Sequence, residues 1–133
     1  MSGEGGSMKG NLLLIDDETE LSESMKELLE EEAEEIFIAA NGEEALQILT
    51  EQKIDCIVSD IKMPVMDGLR FMKVARERGH QQPIIFFTGH GTDQLKHELR
   101  RLGATDLLMK PNFLMLELAI RKHMSELPDD RTS

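Results

Sequence analysis

Asp16 and Asp17 follow one short apolar run, Asp60 ends a second, Thr88 ends a third and Lys110 follows a fourth. Carboxylates packed together repel, so a group made of Asp16, Asp17 and Asp60 stays ionised only beside a cation or with a shared proton. An all-oxygen group of this kind selects a hard divalent ion. Magnesium suits it best, because it takes a few carboxylates, keeps several waters and accepts phosphate oxygens as remaining ligands. Calcium is disfavoured, since its ligand-rich loop is missing. Taken singly, each aspartate is more simply a helix cap or turn residue, Thr88 a strand-end residue and Lys110 a surface cation. Only convergence in one pocket gives them a common chemistry.

The elements that must position them are legible in the alternation of apolar runs with helical patterns. Strands are predicted at 12–15, 36–39, 54–59, 84–88 and 104–109. Leu21, Met25, Leu28 and Leu29 recur at helical spacing between the first two, and further helices are predicted at 43–51, 69–78, 93–102 and 113–127. The order is (βα)5, which makes a single α/β domain: a parallel sheet with helices on both faces. In open sheets of this class ligands bind outside the carboxyl ends of the strands, where strand order reverses. For a five-stranded flavodoxin-like order 2-1-3-4-5, the first and third strands are neighbours, and Asp16, Asp17 and Asp60 converge. The acidic run Glu30, Glu31, Glu32, Glu34 and Glu35 reads as a solvated helix end.

A chain of 133 residues with 40% hydrophobic content is sized for one core. Its 26 acidic against 15 basic residues, net −11, oppose direct binding to nucleic acid. The lone Cys56 excludes an internal disulfide, fits a reducing compartment, and reads as a small core residue with an inert thiol. No apolar run approaches a bilayer span, so a cytoplasmic protein without a membrane partner is expected. Residues 1–10 read as a flexible leader or expression remnant, 11–127 as the folded domain, and 128–133 as a polar tail or truncated linker. The nine methionines are mostly packing, and His80, His90, His97 and His123 have no metal-ligand spacing.

Asp16-Asp17-Glu18, the stretch Asp60-Ile61-Lys62-Met63-Pro64-Val65-Met66-Asp67-Gly68, Thr88-Gly89 and Lys110-Pro111 together resemble the signature of the response regulator receiver domain of two-component signal transduction. Asn41-Gly42-Glu43-Glu44-Ala45-Leu46 is similar to that family's second strand-to-helix turn, and the likeness extends over 11–127. The resemblance implies a magnesium-dependent phosphoacceptor switch, not a turnover enzyme. Asp60 is then the nucleophile that takes a phosphoryl group from a sensor histidine kinase or phosphotransfer protein. Asp17, Asp60 and the backbone carbonyl of Lys62 are the implied metal ligands, with Asp16 acting through a water. Lys110 is expected to pair with one phosphoryl oxygen, Thr88 to hydrogen-bond another, and the Lys110-Pro111 bond to be cis.

The sequence departs from the family at three places. Leu107 stands where receivers usually carry an aromatic side chain, so coupling to Thr88 is expected to be weakened or rerouted. Lys62 and His90 occupy the positions that flank the phosphoryl group and bear on its lifetime, although both side chains pointing into solvent is an equally weighted reading. The last helix places Phe113, Leu116, Ile120 and Met124 on one stripe, with Leu114, Met115 and Leu118 beyond it. With Leu107 these predict an exposed apolar patch on the 92–124 face, suited to an output domain or protein or to a homodimer; a wide core-facing stripe is the alternative.

Other functions fit less well. An aspartate-nucleophile phosphatase wants Asp-x-Asp after its first strand, where this chain has Asp16-Asp17-Glu18. A flavin protein lacks support, with no hydroxyl-rich phosphate loop after Ile15 and no Trp or Tyr. A degenerate receiver that only binds protein would not need the full set of Asp16, Asp17, Asp60, Thr88 and Lys110.

Overall fold

Continuous apolar runs become strands buried on both faces, and the computed structural model, which describes residues 10–125, places them at β1 (Asn11–Ile15), β2 (Glu35–Ala39), β3 (Cys56–Ser59), β4 (Ile84–Thr88) and β5 (Asp106–Met109). They form one 5-stranded sheet in the order β2-β1-β3-β4-β5. Every pairing is parallel. The intervening helices are α1 (Thr19–Leu29), α2 (Gly42–Glu51), α3 (Gly68–Glu77), α4 (Asp93–Leu102) and α5 (Phe113–Ser125). This is the (βα)5 flavodoxin-like architecture expected from the alternation of runs.

Strand side chains alternate between faces, and the core divides accordingly. Leu13, Ile15, Ile57, Ile84 and Phe86 point to one side, against Ala45, Leu46 and Leu49 of α2, Phe71, Met72 and Ala75 of α3, and Leu99 of α4. Leu12, Leu14, Val58, Ile85 and Phe87 point to the other, against Met25 and Leu29 of α1 and Leu116, Ile120 and Met124 of α5. Each fully buried aliphatic or aromatic side chain contributes roughly 2 kcal/mol. Phe87 also meets Phe113 at 5.5 Å between ring centroids, tilted by 60°.

Helix starts are fixed by short polar side chains. Asn41, Asp67 and Thr92 cap α2, α3 and α4 by accepting from the amides of Glu44, Arg70 and Leu95. Each such cap is worth about 1 kcal/mol.

The structure differs from the sequence expectations at several edges. The strands expected at 54–59 and 104–109 begin only at Cys56 and Asp106. Side chains interrupt the ladder there: Asp55 Oδ2 accepts from Asn11 N at 2.8 Å, and Thr105 Oγ1 accepts from Ile84 N at 3.0 Å. The acidic run is not only a solvated helix end, since Glu30–Glu32 forms a 3-10 turn and Glu32 pairs with Arg121 of α5 through bonds of 3.1 and 2.9 Å. Leu28, expected on the apolar face of α1, is exposed. Positions 1–9, the last two residues of the helix expected at 113–127, and the tail at 128–133 lie outside the described residues. Among the described residues no helix is long and apolar enough to cross a membrane.

Candidate functional site

Three main-chain hydrogen bonds carry the candidate residues past the strand ends. Asp16 N donates to Ala39 O at 3.0 Å, Asp60 N to Ile15 O at 2.9 Å and Lys110 N to Thr88 O at 2.8 Å. Each bond extends a strand pairing by one step, so the side chains that follow β1, β3 and β5 leave the sheet at one edge. This is the convergence that strand order 2-1-3 requires.

Asp16 is buried, Asp60 half-buried and Asp17 exposed, and a carboxylate oxygen from each lies within 4.8 Å of the others. Lys110 reaches into the same space. Its ammonium donates to Asp16 Oδ2 at 2.8 Å and to Asp60 Oδ2 at 2.9 Å, with Glu18 Oε1 at 3.4 Å. The second carboxylate oxygen of Asp16 and of Asp60 is held by the main chain. Glu18 N donates to Asp16 Oδ1 at 2.9 Å, and Ile61 N to Asp60 Oδ1 at 2.6 Å. Free rotation of both carboxylates is thereby restricted.

Burial dominates the electrostatics of Asp16 and raises its pKa above the usual carboxylate value, even though Lys110 and the Glu18 amide both favour the anion and the Asp60 charge adds to the rise. Lys110 shows the opposite balance. Burial alone would lower its pKa, but hydrogen bonds and charge from Asp16 and Asp60 together outweigh this and raise it above its ordinary value. One ammonium among Asp16, Asp17, Glu18 and Asp60 still leaves excess negative charge. An all-carboxylate donor set with that surplus fits a hard divalent cation, magnesium before calcium, because the loop that calcium sites use is lacking.

The loop after Asp60 is tightly drawn. Met66 N donates to Pro64 O at 2.7 Å, closing a three-residue turn with Val65 at a φ of 69°. A β-branched residue in that region is strained. At Gly68 an added Cβ would collide with the Asp60 carbonyl oxygen and come within 2.9 Å of Phe86 Cε1, so only glycine lets α3 start this close to the site.

Thr88 is buried at the end of β4, and its Oγ1 accepts from His90 N at 3.3 Å. The side chains of Lys62 and His90 are both exposed. The Lys110-Pro111 bond is cis. Cys56 is buried, and desolvation pushes its thiol up to about 12.

Two sequence readings need amendment. Leu107 is only 7% exposed and packs with the α2–α3–α4 core, so it adds nothing to a surface patch. It fills the space beside Gly91, where an added Cβ would be 3.2 Å from Leu107 Cδ2 and 2.7 Å from Met109 Sδ. Leu114, Met115 and Leu118 are exposed as expected, joined by Leu102 and Met109, which the sequence reading passed over. It also gave Glu18 no role at Lys110. The adjacent Asp-Asp-Glu was visible, but nothing in one-dimensional spacing says that the third carboxylate turns back toward a lysine 92 positions away.

A family model described as the response regulator receiver domain matches residues 12–120. The transcriptional regulatory protein CpxR of Escherichia coli (strain K12) is 39% identical over 100 residues, which are 75% of this chain and 42% of that protein. The chain thus spans less than half the length of the curated relatives it matches. Among solved structures, the receiver domain of Francisella response regulator 1452 aligns with a TM-score of 0.82 and 26% identity over 94% of this chain and all of that one. Response regulator TrrA from Thermotoga maritima, solved in complex with Mg(2+)-BeF, aligns with a TM-score of 0.75 and 32% identity, covering 86% of this chain and 98% of that one.

Proposed function

The chain belongs to the response regulator receiver domain family, and on that footing we propose that it accepts a phosphoryl group on Asp60 from a sensor histidine kinase or phosphotransfer protein. The observation that carries this reading is the gathering of Asp16, Asp17 and Asp60 within 4.8 Å, with the Lys110 ammonium 2.9 Å from Asp60. A carboxylate oxygen of Asp60 attacks phosphorus as the bond to the donor imidazole nitrogen breaks, and the electron pair leaves on that nitrogen. Asp17, Asp60 and the backbone carbonyl of Lys62 would hold magnesium, with Asp16 acting through an intervening water. The ion supplies neutralisation of the charge on the phosphoryl oxygens. Lys110 exchanges one carboxylate contact for a phosphoryl oxygen. The Thr88 hydroxyl, held by one long bond from His90 N, turns to donate to another.

The folded unit of 11–127 then works as a cytoplasmic switch whose covalent chemistry is confined to its own phosphorylation and dephosphorylation. Its readout is the 92–124 face, where exposed Leu102, Met109, Leu114, Met115 and Leu118 suit an output domain, an output protein or a second copy. No direct nucleic-acid contact is assigned to this acidic chain. The deciding experiment treats the native protein and Asp60→Asn with a small-molecule phosphodonor and magnesium and reads intact mass. Addition of one phosphoryl group to the native protein alone is expected; equal addition to Asp60→Asn, or none to either, overturns the assignment.

A further inference from the structure

The loop that runs from Asp60 to Gly68 is closed at its base and moored at its crown. Gly68 N donates to Ile61 O at 2.7 Å, which pins the two arms together beside Asp60. Met66 N donates to Pro64 O, also at 2.7 Å, which folds the crown around Val65. Pro64 and Val65 themselves stand in solvent. Among the described residues, one hydrogen bond ties positions 62–66 to another element: Gly42 N, at the start of α2, donates to Met66 O at 2.9 Å. Helices α2 and α3 pack on the same face of the sheet, which brings the first turn of α2 beside the loop that leads into α3.

Closeness, and not an unusual dihedral angle, requires a glycine at position 42. Gly42 is buried and is not among the positive-φ glycines, yet an added Cβ would sit 2.8 Å from Met66 Cγ and 2.9 Å from both Met66 O and Phe71 Cβ. The last two belong to the main chain and to the stem of a buried ring, which cannot turn aside, so any side chain here must displace the loop. The mooring post is itself braced. Glu44 Oε1 accepts from Ala40 N at 2.9 Å while Glu44 N donates to Asn41 Oδ1 at 2.9 Å, a reciprocal pairing of the capping-box kind.

We propose that Gly42, braced by Glu44, is a positioning residue for the metal site: by fixing Met66 O it holds the arm that carries Lys62, so the turn between β2 and α2 sets magnesium affinity without touching the ion. This rests on the magnesium reading given above, in which the Lys62 carbonyl is a ligand. Lys62 lies in the short arm between the closed base at Ile61 and the moored crown at Met66, and its exposed side chain gives that arm no anchor of its own. Partners that orient a ligand from outside the coordination sphere typically change metal affinity by roughly 10–100-fold. Gly42 acts in that way through one amide and through the absence of a side chain.

Calorimetric magnesium titration and amide exchange on the full chain test the mooring. Gly42→Ala should raise the magnesium Kd about tenfold. Glu44→Ala, which loosens the turn without adding bulk, should raise it by less, and Glu44→Gln, which keeps an accepting carbonyl, should retain the native Kd. Coupling is reciprocal: if the moored loop binds the ion about tenfold more tightly, saturating magnesium slows exchange of the Gly42 amide in native protein by about the same factor. The Gln52 amide, bonded to Ile48 O at the far end of α2, is the reference for any change along the helix. A native Kd in folded Gly42→Ala, or a Gly42 amide slowed no more than that of Gln52, overturns the mooring and leaves the metal reading intact; should Gly42→Ala not fold, the native amide decides. Native protein that binds no magnesium removes the metal reading and the mooring together.

Discussion

The ammonium of Lys110 lies 2.9 Å from Asp60 Oδ2 across 50 positions of sequence, with the buried Asp16 carboxylate equally close. Lys110 therefore offsets the charge of the carboxylates in the resting protein, and under the proposed phosphoacceptor role it would follow that charge onto a phosphoryl group. Lys110→Met should slow mass gain from a small phosphodonor by about 100-fold, the size of effect seen when one preorganised charge-stabilising donor is lost. It should also lower stability near neutral pH, because Asp16 and Asp60 then face each other unpaired. The raised folded-state pKa sets the window: the Lys110 contribution is whole below its ordinary value of 10.5 and is lost as pH climbs through its higher folded value. Thermal melts of both proteins across alkaline pH should accordingly converge; a constant gap would exclude this linkage.

The strand ends, the parallel sheet and the meeting of Asp16 with Asp60 were legible because each follows from local pattern plus one topological rule. What escaped depends on partners far along the chain. Arg121 meets Glu32 across 89 positions, and no periodicity marks either residue. Leu107 misled for a related reason. Of the adjacent Leu107 and Leu108, which one faces which side of the sheet is decided by register alone, and pairing of Phe86 with Leu107 turns Leu107 toward the α2–α3–α4 core. The exposed side chains of α5 were readable, since three residues beyond the Leu116, Ile120 and Met124 stripe exceed what one helix face buries.

Val65 holds a φ of 69° with its side chain in solvent, so its strain is not offset by burial. Relief of such strain is worth about 1–3 kcal/mol, against about 0.5–1 kcal/mol for the added freedom of glycine in the unfolded chain. Val65→Gly should therefore stabilise by about 1 kcal/mol, a rise of a few degrees in Tm. A lower Tm on calorimetry would mean that this backbone conformation is not maintained.

Burial pushes the Cys56 thiol up to about 12 from an ordinary 9.0, which keeps it protonated at neutral pH. An aromatic disulfide reagent should label native protein only as fast as the sheet opens, and denatured protein at once. The pH sign is fixed by the upward shift. Stability is unaffected by this thiol below pH 9.0 and declines between there and about 12, as the unfolded chain ionises first. Rapid labelling of folded protein near neutral pH would show the thiol to be accessible.

Under the proposed magnesium role, protonation of Asp16 would compete with the cation, because burial raises its pKa above the ordinary 3.8. A carboxylate must shed its proton to serve a metal site, so binding of magnesium and loss of that proton are linked. Saturating magnesium should raise Tm by the logarithm of its concentration over Kd at neutral pH. The sign with pH follows from the direction of the shift. Lowering pH through the raised pKa of Asp16 refills that proton, weakens the cation and shrinks the Tm increment, and it does so at a higher pH than an unperturbed aspartate would. Because the folded chain takes up this proton before the unfolded one, the metal-free protein should gain stability from Asp16 as pH falls through its raised pKa, while the metal-bound protein loses the cation's contribution. Asp17→Asn should abolish most of the magnesium increment while leaving the metal-free Tm equal or higher, since it deletes a like charge without touching the Lys110 contacts. An increment that is insensitive to Asp17→Asn, or that grows as pH falls, would place the cation elsewhere on this acidic surface.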